Sequence, residues 1–320
     1  MTKLFIAALI SLVLMFIIMP YMISYMKKIK YNQIASEYSL EEFKEKAGTP
    51  TMGGVVFILV PVLTLLLLYP AFFRHFKIML VVLVYIGYGL IGFIDDYLIV
   101  VKQNNDGLKP LYKFALQLLL SIVFYMIYKN NATTTVTLPF INNTVDLGIF
   151  YAFLVFFMFT GSSNAVNLTD GMDGLAAGVS IFALLPFIYV AIKQDEFYIA
   201  VFLTAVAGAL LGYLRFNISP AMIFMGDTGS LALGGLLAAV AIVLKKEIDL
   251  AVIGGVFVLE TVCVLIQQFS VRVFHKRVFR YTPIHYAFKL NGMAETQVVY
   301  VFWLSAIIFC GLGFLMEVLG

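Results

Sequence analysis

Apolar residues run along this chain in unbroken stretches of roughly 17–23 positions, about the length a helix needs to cross a hydrocarbon core. Short polar breaks separate them. Apolar windows predict about ten membrane-spanning helices, over 4–26, 52–69, 78–95, 111–128, 148–164, 175–192, 198–214, 229–244, 250–270 and 298–318. An outer-membrane barrel is excluded, because its strands would read as short alternating segments. The first run exceeds a signal-peptide core and is followed by "KKIK" rather than a small-residue cleavage site, so it reads as a retained span. Residues 129–147, "KNNATTTVTLPFINNTVDL", carry strand-forming types between two spans.

Composition agrees with this all-α integral membrane class. Of 320 residues, 62% are hydrophobic and 12% charged, about half the charge of a soluble domain. Mean hydropathy is +0.99. Cys263 and Cys310 both fall in apolar runs and imply no disulfide framework. The net charge of +3 matters less than its distribution. An even number of spans puts both termini on one side. The opposite loops hold most of the Lys and Arg, among them Lys27, Lys28, Lys102, Lys109, Arg215, Arg272 and Lys276. The positive-inside bias therefore predicts cytoplasmic loops and extracytoplasmic termini. With no fixed-period repeat or low-complexity linker, residues 1–320 read as a single polytopic membrane domain.

The polar clusters then fall on the cytoplasmic face, at 45–54, 92–114, 162–174, 215–230 and 275–295. Each has a plain structural reading. Asp95 and Asp96 could mark a solvated helix end. Asp227, and Asp170 or Asp173, could cap the helices that follow them. Phe224 could anchor the chain at the interface, and His285 could be an ordinary interfacial histidine. Their coincidence on one side favours chemistry. Several carboxylates with few His suit a hard cation, Mg²⁺ or Mn²⁺, better than zinc. Neighbouring Lys, Asn and Gly-rich turns suit phosphate oxygens. Together these residues meet the needs of phosphoryl transfer at a membrane face, with acids gathered around one divalent ion. Adjacent helical residues point about 100° apart, so Asp95 and Asp96 are not expected to grip one ion side by side.

"GTPTMGG", "GFIDDY", "NAVNLTDGMDGLA", "FMGDTGSLALGG" and "TPIH" resemble the motifs of the phospho-N-acetylmuramoyl-pentapeptide transferases. These belong to the polyprenyl-phosphate N-acetylhexosamine-1-phosphate transferases. The resemblance covers nearly the whole chain, in the expected order. It implies a multi-pass enzyme of the bacterial cytoplasmic membrane that requires Mg²⁺ and has no nucleic-acid partner. Undecaprenyl phosphate would attack the diphosphate of UDP-N-acetylmuramoyl-pentapeptide, releasing UMP and forming the first lipid-linked peptidoglycan precursor. Motif by motif, it implies that Asp227 binds the metal and that Asp95 and Asp96 orient or deprotonate the lipid phosphate. Asp173 would lie near the uracil, with Phe224 stacked on it and Gly226 and Asp170 close by. Asn167, Asn217 and Lys113 would lie near the diphosphate, and Lys46 and Thr51 at the cleft. His285 would be the first of a catalytic histidine motif, and Gln267 matches a polar position in the ninth span. A homodimer paired along lipid-facing helices is also compatible with the resemblance.

Two departures stand out. The family pattern has three consecutive histidines where this chain has "PIHYAF", so Tyr286 and Ala287 replace two. A Lys is common after the acidic pair, but Ile99 occupies that place, leaving Lys102 as a substitute. Two other functions compete. A sister transferase would move N-acetylglucosamine-1-phosphate for teichoic acid or surface polysaccharide. A cation transporter would need acids near mid-span, where only Glu260 qualifies.

Overall fold

The computed structural model describes residues 1–28, 48–102, 107–139 and 143–319. Among these, nine helices are long and apolar enough to cross a bilayer, and a further apolar helix is shorter. They are α1 (Thr2–Lys28), the short α2 (Gly54–Leu68), α3 (Phe76–Lys102), α4 (Pro110–Tyr128), α5 (Phe150–Thr169), α6 (Leu175–Lys193), α7 (Phe197–Asn217) and α8 (Gly226–Val243). A brief α9 (Asp249–Ile253) precedes α10 (Gly255–Phe274), α11 (Ile284–Leu290) and α12 (Glu295–Leu319). Every expected span has its helix. At 15 residues α2 extends only about 22 Å, and the 3₁₀ turn Pro70–Arg74 follows it.

The helix ends differ from the apolar windows in a consistent way. Helix α3 runs on to Lys102, so Asp95 and Asp96 lie inside it rather than at its end. Helix α5 continues to Thr169, which makes Asn167 helical instead of part of a loop. Hydropathy stops where side chains turn polar, whereas backbone bonding continues while those side chains find protein partners. The ninth span is also interrupted: Gly254 separates α9 from α10.

Helix α8 forms the centre. Within its apolar window 89% of residues are buried, against 22% in α1 and in α4, which present apolar faces outward. Apolarity alone would also let a helix face lipid, so the enclosure of α8 comes from the helices packed around it. Here α3 and α5 flank α8, while α7 packs against α1, α2 and α6. The small residues of "GGLLAAVA" allow that close surround.

Two strands, β1 (Thr135–Leu138) and β2 (Asn143–Asp146), pair antiparallel, with Thr135 opposite Asp146 and Leu138 opposite Asn143. The strand-like composition of 129–147 is thus realised as a hairpin. The Lys245 ammonium donates to the carbonyl of Thr135 at 3.0 Å and ties the hairpin to the far end of α8.

Helix α10 presents Val256, Glu260, Val264, Gln267 and Ser270 inward, a helical stripe containing three polar residues. Those three staple the following segment back onto the helix. Gln267 accepts the N–H groups of Val278 and Phe279 at 3.0 and 2.9 Å and donates to the Phe279 carbonyl at 3.1 Å. Ser270 donates to the carbonyl of Lys276 at 2.8 Å. Gln267 is therefore a loop staple, its side-chain amide engaged with backbone on both sides.

Candidate active site

The alternating helices bring the C-terminal ends of α3 and α5 to the same end of the bundle as the N-terminal ends of α4 and α8. The site is assembled there around the first turn of α8, whose leading N–H groups have no partners within the helix. The cap comes from another helix. Asp96 of α3 accepts the N–H of Asp227 at 3.0 Å, the N–H of Thr228 at 2.9 Å and the Thr228 hydroxyl at 2.6 Å. A buried carboxylate at this positive helix end satisfies the free donors and interacts favourably with the helix dipole. Asp227, expected as a possible cap, lies inside the first turn with its carboxylate free for other partners.

Those partners come from two more helices. Asn167 of α5 donates to Asp227 Oδ1 at 2.7 Å and contacts Ser230 Oγ at 2.9 Å. Lys113, in the first turn of α4, pairs with Asp227 Oδ2. The same ammonium lies 4.0 Å from Asp95 Oδ2, and Asp95 Oδ1 accepts the N–H of Leu108 at 2.9 Å. The acidic pair therefore splits as helical geometry requires. Asp96 faces α8, and Asp95 faces Lys113.

Gly226 precedes Asp227 with a φ of +69°, and its outer side is filled. A Cβ there would collide with Asp96 Oδ2 and lie 2.8 Å from Thr51 Oγ1, so Thr51 joins the cluster. Residues 50–54 are laced to the segment before α8. Phe224 donates to the Pro50 carbonyl at 2.9 Å, and Gly53 donates to the Phe224 carbonyl at 2.8 Å. The Phe224 ring remains partly exposed beside the site.

Asp170, at the C-terminal end of α5, is partly exposed. Crowding by protein and then the negative charges of Asp227, Asp96 and Asp173 push its carboxyl up to about 8. Without a bound cation it therefore tends to carry a proton near neutrality. Asp170 and Asp173 do not cap α6, which starts after Gly174 without a side-chain cap.

Several expected site residues are bonded to the walls of the cleft. Asp173 is buried, and its Oδ2 accepts the N–H of Ala221 at 3.0 Å, holding the loop between α7 and α8. Asn217 is buried as well; it accepts the N–H of Gly174 at 3.0 Å and donates to the Ile223 carbonyl at 2.9 Å. His285 has no exposed surface and bonds Glu260, so it does not open to the cleft. Lys102 lies exposed on the last turn of α3, while Lys113 supplies the cation beside the acids. Lys46 lies outside the described residues. Sequence reasoning did not single out Thr228 or Ser230, and it noted Glu260 only as a mid-span acid. Glu260 had left a signal, since an acid inside an apolar span calls for a function or a partner.

Among the described residues no group of three or more His, Cys, Asp or Glu side chains converges as a ligand set. One reason is that Asp96 and Asp173 are engaged by backbone N–H groups. Asp227 and Asp95 remain, and both approach a single positive charge on Lys113. Two hard oxygen donors fit Mg²⁺, which usually takes one or two carboxylates and completes its shell with water and substrate phosphate.

Residues 78–245 match the profile of glycosyl transferase family 4, and residues 46–58 match phospho-N-acetylmuramoyl-pentapeptide-transferase signature 1. The chain is similar to the phospho-N-acetylmuramoyl-pentapeptide-transferase of Bacillus thuringiensis (strain Al Hakam), with 46% identity over 304 residues. That alignment covers 94% of this chain and 91% of the relative. The protein of the same name from Bacillus cereus (strain AH187) is similar to the same extent and coverage.

Proposed function

This chain belongs to the phospho-N-acetylmuramoyl-pentapeptide transferases of glycosyl transferase family 4, and from that premise we propose how its residues carry out the reaction. The protein is a multi-pass phosphosugar transferase of the bacterial cytoplasmic membrane. It transfers phospho-N-acetylmuramoyl-pentapeptide from its UDP-linked donor to a polyprenyl phosphate, releasing UMP. The site is oriented toward the cytoplasm, in keeping with the Lys and Arg of the loops at that end.

The observation that carries the residue assignment is the convergence of α3, α4 and α5 on the first turn of α8. Asp227 and Asp95 would hold Mg²⁺, which when bound shares the diphosphate charge and favours its cleavage. Lys113 and Asn167 border the same volume, and each can donate to phosphate oxygens while holding Asp227 in place. Asp95, facing Lys113 rather than α8, is the member of the acidic pair that orients the incoming lipid phosphate. Asp96 keeps the turn in register. Asp170, whose carboxyl is raised by crowding and by its acidic neighbours, borders the same volume. Phe224 offers an aromatic face to the uracil.

Incubation of the purified protein with UDP-N-acetylmuramoyl-pentapeptide, undecaprenyl phosphate and Mg²⁺ should yield UMP and the lipid-linked product. Product from UDP-N-acetylglucosamine alone would overturn the substrate assignment. Metal-dependent ion flux in liposomes without UMP release would overturn the enzymatic one.

A further inference from the structure

Residues 170–174 lie between the last residue of α5 and the first of α6, so their peptide groups draw partners from outside a helix ladder. The C-terminal segment supplies several of them. The Tyr286 hydroxyl donates to the Gly171 carbonyl at 3.1 Å, and Glu295 Oε1 accepts the N–H of Asp173 at 3.1 Å. The Trp303 indole N–H donates to the Gly174 carbonyl at 3.2 Å. One short turn is thus gripped at both ends and at its middle by side chains distant in sequence.

The grip is close. A Cβ on Gly171 would lie 2.6 Å from the Tyr286 hydroxyl, and one on Gly178 would collide with the Trp303 ring. Glu295 and Trp303 stand about two turns apart on α12, a spacing that puts both on one helical face, with buried Val299 between them. The Lys289 ammonium lies 3.2 Å from Glu295 Oε2, and both side chains are largely buried, so the carboxylate is held in one direction. On its other side the turn reaches the reacting groups. Asp170 lies close enough to Asp227 to feel its charge, and Asp173 Oδ2 accepts the N–H of Ala221 in the loop that carries Phe224.

We propose that Glu295 is a positioning residue for the transfer reaction, which fixes the Asp170–Asp173 turn through the Asp173 N–H and so keeps Asp170 near Asp227, while Tyr286 and Trp303 hold the peptides on either side. This rests on the transferase reading above. Glu295 bonds the backbone of the turn and acts on the reacting volume only through it. A displacement of about 1 Å at a reacting centre can cost on the order of 10²-fold in rate, so a loosened turn lowers turnover without removing a group from the site. The side-chain oxygen of Gln can accept the same N–H, whereas the methyl group of Ala cannot.

The chain has 1 tryptophan, and its indole N–H is bonded to the turn, so intrinsic fluorescence of the whole protein in detergent reads the turn directly. Glu295→Ala should move the Trp303 emission to longer wavelength and increase its quenching by acrylamide. The same variant should lower kcat about tenfold with KM for the UDP-linked donor unchanged. Glu295→Gln should keep the wild-type emission and most of kcat. A Gln variant as impaired as the Ala variant, unchanged emission or kcat in Glu295→Ala, or a raised KM with kcat intact would each overturn the proposal. If Glu295→Ala does not fold, Tyr286→Phe, which removes only the hydroxyl, should give the same shift in emission and fall in kcat. Wild-type values there would overturn the proposal as well. Failure of wild-type turnover with the muramoyl donor would instead count against the transferase reading, and the emission would still show whether Glu295 holds the turn.

Discussion

Asp96 and Thr228 are joined twice, through the backbone N–H at 2.9 Å and the hydroxyl at 2.6 Å, across helices far apart in sequence. One member of an acidic pair is thus a cap for the helix that bears Asp227. The other faces Lys113 and the N–H of Leu108. The division gives the two residues different signatures under mutation.

Asp96→Ala should destabilise the protein by about 1–2 kcal/mol or more, the range expected for a lost helix cap, and should lose activity in consequence. Asp95→Asn should lose turnover with little change in the unfolding midpoint. Thermal unfolding in detergent beside a UMP-release assay checks both. An Asp96→Ala protein with native stability would return Asp96 to the reacting groups.

Asp227 gathers Asn167 and Lys113 and supplies a hard oxygen donor. Asp227→Asn should reduce turnover on the order of 10²-fold or more and weaken Mn²⁺ binding measured by electron paramagnetic resonance. Unchanged Mn²⁺ affinity would move the metal away from α8.

Phe224 has its backbone fastened to Pro50 and Gly53 while its ring is partly exposed. Phe224→Ala should weaken UDP binding by about 1–3 kcal/mol, and Phe224→Tyr should preserve it, as calorimetry would show. Equal affinity in all three proteins would leave the ring a surface anchor.

The Asp170 carboxyl is raised to about 8 in the folded protein, so the native state binds this proton more tightly than the unfolded chain. Its contribution to stability is complete at low pH, below the unfolded carboxyl value. It falls as pH rises toward the folded value. Without added divalent cation, raising the pH from about 6 to about 9 should lower the wild-type unfolding midpoint more than that of Asp170→Asn. Parallel profiles would place the carboxyl in an ordinary range.

Tyr286 and Ala287 stand where the family pattern has histidines, in different settings. Tyr286 packs on His285, but Ala287 is buried within α11. Ala287→His should cost about 1–3 kcal/mol by overpacking, whereas Tyr286→His should be better tolerated. Equal stability of the two variants would show unfilled space around Ala287.

The helical membrane class, the spans and the strand-forming character of the segment between α4 and α5 were legible in the chain because they follow from local quantities. Lipid demands about 20 apolar residues per crossing helix, and strand-forming residues between two spans have few alternatives. The motif residues were legible as a set for the same local reason: Asp95, Asp96, Asn167, Asp170, Asp173 and Asp227 interrupt runs that otherwise exclude charge. Where helices end was less legible, since Asp95 and Asn167 stay helical only through partners on other segments.

Which polar residue bonds backbone and which stays with other side chains was decided by tertiary structure alone. Asp95 and Asp96 are chemically identical neighbours, and only the approach of α8 gives Asp96 three donors and leaves Asp95 beside Lys113. Asp173, Asn217 and Gln267 carry the same groups as Asp227 and Asn167, yet each is bonded to backbone from another element. Glu260 looked like a stray charge until α11 folded against it. A carboxylate or amide has the same bonding capacity wherever it occurs, and its role depends on which donors the fold brings within about 3 Å.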